Sequence, residues 1–372
     1  MKNGKIYLDN NGTTFLDPRV LRVVVDALQN IQGNPSSVHS YGQQAKTALS
    51  RARRTIAEAL KAEPSEIIFF SGATEALNTL LRGSIKKGSH LITSNLEHAA
   101  VYTTAKQLEK EGAELTFLQP GGWGAALPED VEKAIKPNTR LIALMAVNNE
   151  TGVRTDLEAI AAVAARHKIP FLVDGVAQLG KENAILYPGI TAYCGSGHKI
   201  HAPKGIGFAV LRKSFPLSPL LTGGEQEAGR RGGTENLAAI LGLEEAVRIS
   251  VEELSEVSAH MTHLRTLFEN GLREIPNVEI NGFGPRTSNT TNATFKGQEG
   301  EVLLAKLDLA GICASHGSAC ASGALEPSRI LLNMALSRER AASALRFSFS
   351  RFNTQEEVLF TLQTLNTLSL PR

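Results

Sequence analysis

The sequence predicts an α/β protein built on a mostly parallel sheet with helices on both faces, followed by a smaller α+β unit. Three observations carry this. Short β-rich apolar runs alternate with longer helical patterns between about residues 66 and 211, most runs are apolar at successive positions, and the alternation stops after Thr234. Strands apolar on both faces must be covered on both faces, which strand–helix alternation achieves by laying helices on either side of a parallel sheet.

In chain order the candidate strands are 67–70, 90–93, 115–118, 141–147, 171–173, 192–194 and 206–211, with helical segments such as 97–110, 129–136 and 157–167 between them. In such sheets, ligands gather beyond the carboxyl ends of the strands. Past Thr234, apolar residues recur every seven positions (Ile240, Val247, Leu254, Met261, Phe268), with Leu243, Val257 and Leu264 three places later. Ser250 and Gly271 interrupt the second track, which favours one long amphipathic helix linking two domains over a coiled coil. A loop rich in Gly, Pro, Ser, Thr and Asn at 281–292 marks a boundary or turn. Strands near 291–295 and 345–349 and helices near 299–308 and 354–367 complete the smaller unit. The expected division is a large domain of residues 15–255 and a small one of residues 1–14 and 256–372, which carries Cys320.

Composition narrows the function classes. The 39 basic and 37 acidic residues leave a net charge of +2 with no basic tail or arm, which argues against a nucleic-acid partner. The longest apolar runs fall far short of the about 20 residues that cross a membrane. Asp9 falls where a leader peptide would be apolar, and three cysteines, Cys194, Cys313 and Cys320, do not make a disulfide scaffold. A cytoplasmic protein with reduced thiols is expected, so the Asn-x-Thr triplets at Asn289 and Asn292 are coincidental.

Four stretches could carry chemistry. Ser71-Gly72-Ala73-Thr74-Glu75 follows a strand and opens a helix, where backbone N–H groups close around an anion or Ser71 or Thr74 simply caps the helix. It lacks the Gly-Lys-Ser/Thr tail of a nucleotide P-loop. Asp174 ends an apolar strand, either over the ligand crevice or as a strand terminator. Ser196-Gly197-His198-Lys199 offers a lysine that is either solvated or a Schiff-base amine. In the second case its pKa must fall from about 10.4 so that the neutral form can attack an aldehyde. His198 and His201 have no third ligand nearby in sequence, which disfavours zinc. Ser315 to Gly323 is a run of small residues around Cys320, read as a reactive thiol, whereas Cys194 on its apolar strand is read as core.

In this order the motifs resemble the pyridoxal-phosphate-dependent cysteine desulfurases, in the branch that supplies sulfur for iron–sulfur clusters. The resemblance runs from Tyr7-Leu8-Asp9-Asn10-Asn11-Gly12-Thr13-Thr14 to Leu345-Arg346-Phe347-Ser348. It takes in Gly33-Asn34-Pro35-Ser36-Ser37, Glu97-His98, Val147-Asn148-Asn149-Glu150-Thr151-Gly152, Gly232-Gly233-Thr234 and Leu325-Glu326-Pro327-Ser328. It implies the fold type I architecture of the aspartate aminotransferases, with a seven-stranded sheet, and L-cysteine as substrate. Lys199 would hold the cofactor and later carry a proton, Asp174 would pair with its pyridine nitrogen, and His98 would stack on its ring and pass protons. Ala73, Thr74, Ser196 and His198 would bind its phosphate, while Asn149 would touch the ring's phenolic oxygen or the substrate. Gln178 joins the implied cofactor set, and Asn34 and Arg346 the substrate set, with Arg346 on the carboxylate. Thr234 would reach the phosphate of a neighbouring subunit, implying a homodimer. Cys320 would take the sulfur as a persulfide and pass it to an acceptor protein, an iron–sulfur scaffold or another.

One departure stands out. Members of the family usually read Asp-x-x-Gln after the strand, whereas here Asp174-Gly175-Val176-Ala177-Gln178 puts Ala177 at that place and the glutamine one residue on. A one-residue offset turns a side chain to another face. Rival readings are an aminotransferase of the same fold, which needs no thiol, a selenocysteine lyase, and a non-catalytic homologue that keeps the cofactor as a binding partner.

Overall fold

The computed structural model describes residues 4–316 and 326–369. The chain begins with β1 (Ile6–Tyr7), α1 (Pro18–Asn30) and α2 (Ser40–Ala59). There follow β2 (Ile67–Phe70), α3 (Ala73–Ser84), β3 (His90–Ser94), α4 (Ala99–Lys110), β4 (Glu114–Leu118), α5 (Pro128–Lys133) and β5 (Thr139–Met145). Next come α6 (Leu157–His167), β6 (Phe171–Asp174), β7 (Ile190–Ser196), β8 (Gly207–Leu211), α7 (Leu237–Glu252) and α8 (Leu254–Arg273). The last part holds β9 (Val278–Ile280), β10 (Thr290–Phe295), α9 (Gly300–Leu309), β11 (Ile312–Cys313), α10 (Arg329–Asn333), α11 (Arg338–Ala342), β12 (Ala344–Ser348) and α12 (Gln355–Ser369).

All seven strands expected between residues 67 and 211 join one sheet, in the order β2-β8-β7-β6-β5-β3-β4. The pairs β3·β4, β3·β5, β5·β6 and β6·β7 are parallel, and β8 runs antiparallel to both neighbours. The strand pleat explains why the runs are apolar throughout. Ile67 and Phe69 of β2, with Ile142 and Leu144 of β5, enter the core on one face, which α1, α2, α6 and α7 also fill. Ile68, Phe70, Leu141 and Ala143 enter the core on the other, beneath α3 and α4. Cys194 is fully buried in that second core, as its apolar strand implied, and burial pushes its thiol pKa up.

The long helix expected after Thr234 is two helices. Glu253 breaks it, and its carboxylate accepts from Arg19 at 2.5 Å and from Arg351 at 2.6 Å. The joint is thereby tied to the start of α1 and to the chain leaving β12. A seven-residue repeat does not match the 3.6-residue turn over such a length, and the chain bends instead of supercoiling.

Beyond the joint, β12-β10-β9 forms an antiparallel sheet and β1 pairs in parallel with β11. Leu264, Phe268, Phe295, Leu303 and Phe347 share a core there with Ile6 and Leu8, so the first strand packs with the last third of the chain. Asn289 and Asn292 are buried, which keeps both triplets from any modifying enzyme. Among the described residues no helix is long and apolar enough to cross a membrane.

Candidate active site

The carboxyl ends of β2, β5, β6 and β7 open on one cavity of about 750 Å³. It is lined by Ala73, Thr74, His98, Asn149, Asp174, Ser196, His198, Lys199 and Arg346, nine of the residues singled out from sequence. This is the crevice that a doubly wound sheet places outside its strand ends.

At the end of β2 the chain turns through Ser71 and Gly72 into α3. The helix is not capped by either expected side chain: Gly72 occupies the cap and no side-chain bond is made there. Glu75 Oε2 instead accepts the Ser71 N–H at 2.7 Å, and Arg231 holds the other oxygen at 2.8 Å. The first N–H groups of α3 therefore face the cavity with no side-chain acceptor, an arrangement that attracts a phosphate. Gly207, at the start of β8, lets this cup lie against the sheet, since a Cβ there would come within 2.8 Å of the Gly72 backbone.

Asp174 is buried at the end of β6, and its Oδ1 accepts the Val176 N–H at 3.1 Å. Burial raises its pKa, and the nearby His98 only partly opposes this. A carboxylate so placed gains from a cationic N–H partner. His98 caps α4, with Nδ1 accepting the Ala100 N–H at 3.1 Å, and burial lowers its pKa. Asn149 Oδ1 is buried without a hydrogen-bond partner among the described residues. Such an orphan calls for a donor.

Lys199 ends the short turn after β7, and its Nζ donates to the carbonyls of Asn11 at 2.5 Å and Gly12 at 2.8 Å. Burial first, and the Arg346 guanidinium second, pull its pKa down to about 8. At that value a substantial fraction of the amine is neutral near physiological pH, as a nucleophile must be. His198 Nδ1 lies 3.2 Å from Thr13 Oγ1, and burial with the neighbouring Lys199 lowers its pKa to about 4. Arg346 is almost wholly buried on β12, where Nη2 donates to Asp9 at 2.7 Å and Nη1 to the Asn149 carbonyl at 3.0 Å.

A planar phosphorylated aldehyde with a basic ring nitrogen fits this set. The α3 N-terminus with Ser196 and His198 would take the phosphate and Asp174 the ring nitrogen, the orphaned Asn149 oxygen lies at the same cavity, and a depressed lysine pKa suits attack on the aldehyde.

Three expected residues lie elsewhere. Gln178 does not line the cavity. Its Oε1 accepts from the buried Tyr193 hydroxyl at 3.3 Å and its Nε2 donates to the Asn183 carbonyl at 3.4 Å, while Ala177 faces the cavity in its place. The turn sets this: the Gln178 N–H bonds back to the Gly175 carbonyl at 3.0 Å, which carries the side chain beneath the strand ends. Asn34 is exposed in the turn after α1, its carboxamide accepting the Ser36 N–H at 2.9 Å. Thr234 is exposed on the loop before α7. Cys320 lies outside the described residues, although Ser315, just ahead of it, lines the cavity.

Sequence reasoning assigned no role to Asp9, Asn11, Gly12, Thr13 or Lys181, all of which line the cavity. The first four sit in a turn just after β1, inside the motif that opens the resemblance, where the residues themselves offer a polar run broken by glycine. Lys181 is buried, donates to the Lys199 carbonyl at 2.8 Å, and is held near a pKa of 7 by burial.

Comparison with known proteins agrees with this geometry. The aminotransferase class-V family model matches residues 6–360. A protein named cysteine desulfurase 2 from Trichormus variabilis is 42% identical over 97% of this chain and 92% of its own. A cysteine desulfurase IscS from Clostridium botulinum is 37% identical over 98% of this chain and 94% of its own. Among solved structures, a NifS-like protein superposes with a TM-score of 0.91 at 33% identity, covering 98% of this chain and 99% of that one. SspA, solved in complex with cysteine, superposes with a TM-score of 0.82 at 33% identity, covering 94% of this chain and all of the other. Placed by its sheet, its cavity and these relatives, the chain belongs to the aminotransferase class-V family and, within it, to the cysteine desulfurases.

Proposed function

We propose that the protein converts L-cysteine to L-alanine in this cavity with pyridoxal 5′-phosphate, and that Cys320 takes the sulfur as a persulfide. The observation that carries the reading is the meeting, in one cavity, of a lysine with lowered pKa, a buried strand-end carboxyl and a buried arginine. When bound, pyridoxal phosphate supplies an electron-accepting ring joined to the amino acid's Cα.

This chain's residues do the rest. Ala73, Thr74, Ser196 and His198 would hold the phosphate, and Asp174 would keep the ring nitrogen protonated. Lys199 would hold the cofactor through its amine and carry a proton at the substrate's Cα. The His98 ring would stack on the cofactor and pass protons, Asn149 would contact the ring oxygen or the substrate, and Arg346 would clamp the substrate carboxylate with a charge-assisted pair. The Cys320 thiolate attacks the substrate sulfur. A sulfur–sulfur bond forms as the carbon–sulfur bond breaks, the electron pair stays with the substrate, and a proton completes alanine. The working unit in this reading is a cytoplasmic homodimer in which Thr234 reaches the partner's phosphate, and the persulfide passes to an acceptor protein such as an iron–sulfur scaffold.

The test is turnover. The holoenzyme with L-cysteine and a reductant should release alanine and sulfide in equal amounts, and Cys320→Ala should lose both. No alanine from the unaltered enzyme would favour a non-catalytic homologue. Sulfide release by Cys320→Ala at the unaltered rate would remove the thiol from the reaction.

A further inference from the structure

Asp9 is the acidic side chain within ion-pair distance of Arg346 among the described residues, at 2.7 Å. It stands at the point where the chain leaves β1. Its backbone bridges to Ser348, two residues past Arg346 on β12, and its carbonyl accepts the N–H groups of Gly12 at 3.0 Å and Thr13 at 3.3 Å. The turn so formed admits the carboxylate only because residue 12 has no side chain: a Cβ on Gly12 would lie 2.4 Å from an Asp9 oxygen. Glycine at position 12 thus leaves room for the carboxylate, and the bridge to Ser348 fixes its approach to Arg346.

The guanidinium side chain is 4% exposed and its Nε has no partner among the described residues. A buried cation on a chain of several rotatable bonds needs both a counter-charge and fixed contacts to hold one orientation. Asp9 supplies the counter-charge and one fixed contact, and the Asn149 carbonyl, bound to Nη1 at 3.0 Å, supplies the second. Two contacts at different nitrogens set the plane of the guanidinium. Asp9, Asn149 and Arg346 all line the cavity with Lys199.

We propose that Asp9 is the positioning residue for Arg346, holding the guanidinium in the plane and direction that receive the substrate's α-carboxylate. The inference rests on the cysteine desulfurase reading and deepens it. Asp9 touches neither reacting atoms nor cofactor in this account; it acts through Arg346. Removing it leaves the cation in place but lets it turn, so selectivity for a carboxylate falls while the steps at Lys199 continue.

The test separates the two ends of the substrate. In the holoenzyme, calorimetric binding of 3-mercaptopropionate reads the carboxylate end and binding of cysteamine reads the amine end. Asp9→Ala should weaken 3-mercaptopropionate at least tenfold and change cysteamine less than twofold. The KM for L-cysteine should rise about as much as the first constant, with kcat within twofold. Asp9→Asn, which keeps an oxygen acceptor for Nη2, should fall between, and it carries the test if Asp9→Ala does not fold. In an Arg346→Ala background, Asp9→Asn should alter neither binding constant. An unchanged affinity for 3-mercaptopropionate, or equal weakening of both ligands, would overturn the proposal. Since binding needs no turnover, failure of the unaltered enzyme to form alanine strikes the functional reading and leaves this one to be read separately.

Discussion

The amine of Lys199 lies 2.5 Å from the carbonyl oxygen of Asn11, a residue 188 positions away in the chain, and donates to it. The N-terminal turn is therefore part of the site, giving the lysine a docking point within the cavity. Only the neutral amine attacks an aldehyde, and this one has a pKa of about 8 through burial and the nearby Arg346 charge.

Uptake of pyridoxal phosphate by the apoprotein should accordingly accelerate about tenfold per pH unit below pH 8 and level off above it, because the neutral fraction saturates there. Stopped-flow absorbance measures this. Removing the cation with Arg346→Ala should move the midpoint upward, toward that of an ordinary lysine. Lys199→Ala should leave no borohydride-trapped adduct by mass spectrometry.

Glu97 is buried beside His98. Ser94 donates to its Oε1 at 2.6 Å, Oε2 has no partner among the described residues, and burial pushes its pKa up to about 8. The folded state thus holds a proton that the unfolded state releases above about 4.5. Stability contributed by this group falls as pH rises from about 4.5 to 8. Glu97→Gln should match the unaltered apoprotein near pH 5 and exceed it at pH 8 by a few kcal/mol, at about 1.4 kcal/mol per tenfold. Urea midpoints at the two pH values decide it, and a constant difference would mean that Glu97 does not titrate in this window.

Gly175 packs under the ring of Tyr193, where an added Cβ would come within 1.9 Å of the ring. Tyr193 is among the largest fully buried side chains and donates to both the Gly175 carbonyl and Gln178. Gly175→Ala must push that ring out of a filled core, and should cost about 3 kcal/mol of unfolding free energy. Cofactor affinity should fall with it, since Asp174 is the preceding residue. Chemical denaturation and cofactor titration together check this.

Ala177 lines the cavity at the place where the Asp-x-x-Gln pattern expected from the resemblance would put glutamine. Ala177→Gln should add one hydrogen bond to bound pyridoxal phosphate. At about 1 kcal/mol that corresponds to roughly fivefold tighter binding, and the cofactor's absorption maximum should shift. Equilibrium titration of the apoprotein measures the first and a spectrum the second.

Much of this architecture is legible in the sequence, for a physical reason. Strands buried on both faces must be apolar at every position, and that run stands out against helices. Helix α2 is harder to see because it packs through Ala45, Ala48 and Ala52, small side chains that give a faint apolar stripe. Helix α1 announces itself by Asp17 before Pro18, a cap and a first-turn proline, and by Val20, Val23, Val24 and Ala27 at helical spacing. Lys199 and Asp174 are readable because the class of sheet says where ligands lie and both sit at strand ends. Asp9 is not, because its partner Arg346 is 337 positions away and a single ion pair leaves no period in the chain. Gln178 misleads for the opposite reason: the right residue type one place along a tight turn faces the core.

Arg346 also holds the chain that leads toward Cys320. Its backbone exchanges two hydrogen bonds with Ser315, at 3.1 and 2.7 Å. The residue proposed to clamp the substrate thus also pairs with the backbone of Ser315. A substitution that shifts β12 at Arg346 therefore also shifts Ser315 at the cavity wall.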